Sequence, residues 1–442
     1  MIQEITRKLA TRIKNPVFRD YANMYLDIYE DFIFQSEHIG LPFHKNLNQA
    51  EESRKLIQEL KSLGVTIRCN GASLVYNHLS SACEACKKGI GTMTSYISFQ
   101  CHRNCFFCFN PNQENFEAYF NRKNNWSSEL EQIKNQGGIL THIALTGGEP
   151  LLYSDDTIAF FKKSKELFPT AHRRLYTSGD LLTEDILKHL QQTGLEEIRF
   201  SYKIEDDKSL KEKILHQMDL AKSYIPTVIV EMPVMPDSEE EMKSLLKCLD
   251  HMGIFGINLL ELGFPYYNQG AFSAKGYQLK YPPYQTLYNF SYAGGLPIAG
   301  SEVIALRLLR YAVKEKLTLG IHYCSLENKN FGQLYQQNYP FATENSTMYF
   351  SKKDYYLKTI KAFGTDAAEV YQIFKKAGID RYLYDKKNKF IQFHPGDAYL
   401  LKGRSIELAV SVNVMEERNS EIVTRELKLL RAFIDDCRPE NL

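Results

Sequence analysis

From residue 94 onward short apolar runs alternate with amphipathic stretches. The apolar runs are TSYISF (94–99), HIALT (142–146), HRRLYT (172–177), EIRFSY (197–202), TVIVEMPV (227–234) and INLLEL (257–262). Each is four to eight residues long and rich in β-branched or aromatic side chains, which predicts strands. Between them SELEQIKNQ, DDTIAFFKKSKELF, TEDILKHLQQ, KSLKEKILHQMDLAK and SEEEMKSLLKCLDHM carry apolar residues at helical spacing. Six strand–helix alternations imply a parallel sheet with its helices outside, either doubly wound or an open barrel. Ligands of such folds bind at the C-terminal ends of the strands.

The flanks read differently. Up to about residue 65 the pattern is helical, and Tyr21, Tyr25 and Tyr29 recur every four residues, as on one face of a helix packed on a core. Residues 263–295 are rich in Tyr and Phe, and a helix (301–316) and a strand-like LTLGIHYC (317–324) follow. The last hundred residues predict a helix (366–378), strands within 382–393 and 405–414, and a terminal helix over SEIVTRELKLLRAFI (420–434). The organisation expected is a helical N-terminal segment (1–92), a core (93–265), an aromatic-rich extension (266–345) and a small C-terminal α+β unit (346–442).

With 442 residues, 44% of them hydrophobic, the chain can bury a large core. A net charge of +1 argues against binding nucleic acid through a broad basic face, and no apolar run is long enough to span a bilayer. The N-terminus lacks the apolar stretch of a signal peptide, so a cytoplasmic location is expected. There the nine cysteines stay reduced, and tight cysteine spacings point to metal sites or reactive thiols rather than disulfides.

Three of them crowd into QCHRNCFFCFN: Cys101, Cys105 and Cys108, spaced C-x₃-C-x₂-C directly after the first core strand. A structural zinc site wants four ligands, for which His102 is available. A four-cysteine cluster wants a further cysteine soon after, and none follows before Cys248. Three thiolates hold a cubane at three irons and leave the fourth open, which makes sense if a substrate or cofactor is ligated there.

The spacing, the aromatic Phe107 before the last cysteine, and the later TGGEP (146–150) at the end of the second strand together resemble the radical S-adenosylmethionine (radical SAM) superfamily. The resemblance covers about residues 93–265. It implies a partial (β/α)6 barrel, a [4Fe–4S] cluster on Cys101, Cys105 and Cys108, and S-adenosylmethionine chelated to the open iron. One electron, from a flavodoxin- or ferredoxin-type donor, would then release a 5′-deoxyadenosyl radical that abstracts hydrogen from a peptide, protein or small-molecule substrate. Gly147 and Gly148 would let the backbone approach the methionyl moiety, with Glu149 near its ammonium and Pro150 fixing the turn. The resemblance further implies cofactor contacts at Ser178, Ser201 and Lys203, and adenine contacts at Phe109, Asn110, Glu261 and Leu262.

A second group, Cys83 and Cys86 in SSACEACKKG, forms a C-x₂-C pair, one edge of a tetrahedral metal site for which Cys69 and Cys324 are partners. Zinc, mononuclear iron and an auxiliary cluster all suit four thiolates. Cys83, Cys86 and Gly89 match an element of the superfamily branch related to pyruvate formate-lyase activating enzyme. More distantly the arrangement resembles the methyl-coenzyme M reductase arginine methyltransferase, so methyl transfer is an alternative reaction. Cys248 and Cys437 read as a core and a tail residue. A non-catalytic iron–sulfur or zinc interaction protein is the competing class, and the GGEP turn argues against it, since a structural metal needs no methionine-binding turn.

Overall fold

The computed structural model describes residues 2–38, 40–283, 295–342 and 347–442. The chain divides into two compact units, Gly40–Asn330 on the one hand and Met1–Ile39 with Phe331–Leu442 on the other. These limits differ from those read off the pattern. The stretch 1–92 is shared between the two units, and its second part is not all helix.

The unit Gly40–Asn330 is built on nine strands: β1 (Thr66–Arg68), β2 (Ser73–Tyr76), β3 (Thr92–Tyr96), β4 (His142–Thr146), β5 (His172–Thr177), β6 (Glu197–Phe200), β7 (Thr227–Val234), β8 (Gly256–Glu261) and β9 (Gly320–Cys324). Their order in the sheet is β1-β2-β9-β8-β7-β6-β5-β4-β3. From β3 to β9 every pairing is parallel; β2 adds antiparallel to β9, and β1 to β2. The six expected strands are present, and the strand-like 317–324 supplies a seventh parallel one. No pairing closes β3 onto β1 among the described residues, so the barrel is partial.

Alternation along each strand sorts its side chains. Ile143, Leu145, Leu175, Ile198, Val230, Ile257 and Ile321 enter one apolar core with the covering helices. These helices include Trp126–Asn135, Ser154–Leu167, Glu184–Gln192, Lys208–Ala221, Glu239–His251 and Ser301–Glu315. The intervening positions, among them Arg174, Tyr176, Arg199, Glu231, Asn258 and His322, face the hollow of the barrel and bind one another. Strands this apolar on one face and this polar on the other must enclose a polar interior.

In the other unit a seven-stranded antiparallel sheet runs Gln3–Glu4, Glu421–Ala432, Leu408–Arg418, Leu357–Phe363, Phe390–Phe393, Tyr382–Asp385, with Tyr349–Phe350 beside Leu357–Phe363. The helix Pro16–His38 packs on it through Phe18, Ala22 and Leu26, with Tyr21 and Tyr25 alongside as their spacing predicts. The predicted terminal helix is instead the strand Glu421–Ala432. It pairs with Leu408–Arg418 across a two-residue hairpin, Asn419–Ser420, both with positive φ (50° and 64°). That is the backbone a tight right-twisted hairpin requires. The cross-strand ladder outweighs the helical spacing of its leucines. Cys437, read as a tail residue, is fully buried.

Candidate functional site

The cysteine loop leaves the C-terminal end of β3, and the GGEP turn leaves that of β4 beside it. Two backbone bonds join them: Gly148 N–H donates to the Ser98 carbonyl at 3.0 Å and Glu149 N–H to that of Gln100 at 2.9 Å. The fit is tight enough to dictate both glycines. A Cβ on Gly147 would stand 2.7 Å from Tyr96 Cβ and 2.8 Å from the Ser98 carbonyl oxygen, at a φ of 113°. One on Gly148 would stand 1.9 Å from the Gln100 oxygen. Close approach of backbone is thus required by the chain's own cysteine loop, a reason the motif alone does not reveal.

Glu149 is buried at 3% exposure, and its carboxylate accepts four hydrogen bonds. Leu151 N–H (3.1 Å) and the Thr177 hydroxyl (2.7 Å) reach one oxygen; Ser178 N–H and hydroxyl (both 2.7 Å) reach the other. A carboxylate offers about four such sites. Glu149 therefore ties the end of β4 to the end of β5, the Ser178 hydroxyl lying also within reach of Asp180.

Each loop cysteine has a donor beside it. Arg103 N–H lies 3.4 Å from Cys101 Sγ, the Lys203 ammonium faces Cys105, and the Asn110 backbone N–H faces Cys108. Burial nonetheless dominates and pushes all three thiols up, Cys108 to about 11. The loop is pinned from outside by the aromatic-rich segment, where Tyr267 donates to the Cys108 carbonyl and Asn268 to that of Phe106. Residues 284–294 of that segment lie outside the described residues.

Cys101, Cys105, Cys108, Asn110, Gly147, Gly148, Glu149, Ser178, Ser201 and Lys203 line one cavity of about 210 Å³ at the strand ends. Its floor includes Tyr176 and Glu231. Three thiols with three donors around such a space fit a cubane better than one ion. No three His, Cys, Asp or Glu side chains converge on a single-ion site among the described residues. His102, the other sequence-based ligand, pairs with Asp180 at 2.7 Å.

Three expected residues are elsewhere. Phe109 turns its ring onto Gly263 and Gly295. Glu261 is held by Lys280 at 2.8 Å and by Leu326 N–H at 3.0 Å. Leu262 is fully buried, its N–H donating to Ser301 Oγ and its carbonyl accepting from Ile298 N–H. None of the three lines the cavity.

The second cysteine group is only partly assembled. Ser80 caps the helix Ser81–Cys86 and donates to Glu197, setting that helix across the barrel hollow. Cys83 there meets the Arg199 guanidinium at 3.2 Å and the Asn258 amide at 3.5 Å. Cys86 and Cys324 are near enough to Cys83 for their charges to be felt, whereas Cys69 responds to Arg68, Glu84 and Lys87 instead. Arginine rather than a fourth thiol therefore stands against Cys83.

Sequence reasoning missed the polar floor. Arg199 bridges Glu197 (2.5 Å) and Glu231 (2.6 Å). Burial opposes the charge on both carboxylates; Arg199 together with His172 and Ser80 at Glu197, and with Asn258 at Glu231, more than offsets it, holding Glu197 at about 2 and Glu231 below the ordinary range. The signal was present as isolated polar residues, Arg199, Glu231, Asn258 and His322, within otherwise apolar strands.

Residues 95–249 match the family model described as the radical SAM superfamily. A protein of Methanocaldococcus jannaschii named "Putative glycyl-radical enzyme activating enzyme" is 28% identical over 255 residues, 56% of this chain and 64% of that protein. The chain thus spans less than two thirds of that relative's length. Among solved structures, Streptococcus suis SuiB bound to S-adenosylmethionine is similar with a TM-score of 0.35 at 13% identity, over 62% of this chain and 51% of that one. Native anSMEcpe with bound AdoMet and Cp18Cys peptide gives 0.31 at 17%, over 39% and 50%. No helix among the described residues is long and apolar enough to cross a membrane. The matched segment opens on the strand that delivers the cysteine loop and runs into the helix after β7; over this segment the chain is similar to the radical SAM superfamily, and over a longer stretch to a protein named as an activating enzyme.

Proposed function

We propose that the chain binds a [4Fe–4S] cluster on Cys101, Cys105 and Cys108 and cleaves S-adenosylmethionine reductively in the cavity above Tyr176 and Glu231. The observation that carries this is one cavity wall holding all three thiols, the GGE turn, Ser178, Ser201 and Lys203. When bound, the cluster and its cofactor supply one-electron cleavage of the sulfonium and a 5′-deoxyadenosyl radical for hydrogen abstraction.

The chain's own residues hold that site. Asn110 donates to the Gly147 carbonyl at 2.5 Å and so locks the cysteine loop to the turn. Glu149 aligns Thr177 and Ser178. Lys203, buried beside Cys105, offers a cation to a carboxylate, and Ser201 a hydroxyl. The apolar barrel wall and the segment 263–274 shield the loop from water.

The substrate we assign is a C–H bond of a peptide or protein, in keeping with the name of the Methanocaldococcus relative. The electron donor is of flavodoxin or ferredoxin type. Anaerobic reconstitution tests the reading: the wild type should bind four irons per chain, shift its electron paramagnetic resonance signal on adding S-adenosylmethionine, and form 5′-deoxyadenosine. Cys105→Ala should do none of these; cofactor cleavage at the wild-type rate by that variant overturns the assignment.

A further inference from the structure

The antiparallel sheet ends at the strand Tyr382–Asp385, which pairs with Phe390–Phe393 and with no other strand among the described residues. At four residues it is as long as the strand it pairs with, and their register runs without a shift. The N–H and C=O groups along such an edge pair readily with another extended chain, so sheets guard it with a proline, a bulge or a lysine on the strand itself. The sequence YLYD has none of these. Leu383 is instead 50% exposed and Tyr384 36%, and Tyr399, beside Arg381 at the start of the strand, is 66% exposed. Tyr382 and Tyr384 both rest on Tyr371 of the helix Gly364–Ala377, with ring centroids 5.7 Å apart in each case, which fixes the two rings at the edge.

Charge around this strand is one-sided. Lys375 and Lys376 end the helix that leads into it, and Lys386, Lys387 and Lys389 lie in the turn that leads out, all five exposed. Residues 375–389 carry five lysines and one arginine against two aspartates, a net +4, where the whole chain carries +1. The two acids do little to cancel it. Arg381 pairs with Asp397, and Asp385 is engaged by Asn388 through its N–H at 2.9 Å and its amide at 2.8 Å. Lysine therefore brackets both ends of an open, partly apolar strand.

This pattern selects the occupant. A second copy of the chain, paired edge to edge about a two-fold axis, runs antiparallel and sets residues 386–389 of one copy against Lys375 and Lys376 of the other. Like charges so placed repel. Nucleic acid would meet the lysines but leave Leu383 and the strand's backbone groups unmatched. An extended peptide with acidic ends matches all three features.

We propose that Tyr382–Asp385 is a docking strand for an extended acidic segment of a peptide or protein. The segment adds to the sheet through backbone hydrogen bonds, its alternate side chains lie beside Leu383 on one face and Tyr384 on the other, and its terminal carboxylates meet the lysines. This goes beyond the function proposed above and stands whether or not the chain cleaves S-adenosylmethionine.

Fluorescence anisotropy of the full chain with the labelled peptide EEVTVTVEE tests it. The wild type should bind this peptide, and more weakly as salt is raised, as ion pairs require. The peptides EEVPVPVEE, which lacks N–H groups for the ladder, and KKVTVTVKK should bind about tenfold more weakly or less. Leu383→Asp should weaken binding of EEVTVTVEE about tenfold, as should Lys386→Glu combined with Lys387→Glu, which lies in an exposed turn and leaves the strand's packing intact. The proposal is overturned if EEVTVTVEE does not bind, if EEVPVPVEE binds equally well, or if both variants bind as wild type does. Tighter binding of an oligothymidylate than of EEVTVTVEE would make the surface a nucleic-acid site instead. A dimer in solution that Leu383→Asp dissolves would assign the edge to a second copy and overturn it likewise.

Discussion

Gly148 lies directly on the backbone of Gln100, so close that a methyl group in place of its hydrogen would stand 1.9 Å from the Gln100 carbonyl oxygen. The glycine-rich turn and the cysteine loop are therefore one structural piece. What disturbs either should disturb metal binding at both.

Gly148→Ala should accordingly lower the unfolding free energy by about 3 kcal/mol or more, since backbone cannot yield as a side-chain end can. Iron retained after reconstitution should fall with it. Gly270→Ala is the control: nothing lies within 4 Å of that Cβ, in the helix Gln269–Ala274. It should be neutral or stabilising by up to about 1 kcal/mol. Urea titrations and iron analysis read both; equal effects at the two sites would refute the close-packing account.

Glu149→Gln turns one acceptor oxygen into a donor facing Ser178 N–H or Thr177 Oγ1, both 2.7 Å away. The loss should be about 1–3 kcal/mol, with S-adenosylmethionine binding weakened through displacement of Ser178. Unchanged stability with unchanged affinity would show that the four bonds are dispensable.

His322 should shape the acid limb of stability. Burial, with Arg68 and Arg199 nearby, lowers its imidazole from the usual 6.5 to about 3. Its contribution is complete above pH 6.5 and is lost as pH falls through that window toward 3, at most about 5 kcal/mol. His322→Gln keeps partners for Ser73 and Asn258 and should flatten the limb between those values. A limb of unchanged slope would place the titration elsewhere.

Arg199→Met should cost about 3–5 kcal/mol at neutral pH, because Glu197 and Glu231 are left as buried, unpaired carboxylates. Their pKa values then rise above the unfolded ones, so the deficit relative to wild type should widen as pH rises from 5 to 8. A deficit independent of pH would mean that Arg199 acts through packing alone.

The parallel strands from β3 to β8 and their helices were readable because alternation and helical spacing repeat within each segment. The strand Glu421–Ala432 was not, because its leucines fit a helix and only pairing with Leu408–Arg418 decides between the two. Phe109, Glu261 and Leu262 do not line the cavity for a related reason. Position along a strand says how far a residue reaches, while the partners Gly263, Lys280 and Ser301 that capture them are set by packing.

What the sequence by itself determined is the chemistry written on single loops: three cysteines within eight residues, and a glycine pair followed by Glu and Pro in one later turn. Such features survive any arrangement of the remainder, because their members are neighbours along the chain. What only the tertiary structure decided is the barrel interior. Cys83, Arg174, Arg199, Glu231, Asn258 and His322 come from six separate elements. Only sheet order and side-chain alternation turn them to one hollow, where burial makes each charge depend on the others. That dependence, as in the pairing of Arg199 with Glu197 and Glu231, arises from removing water around groups far apart in sequence.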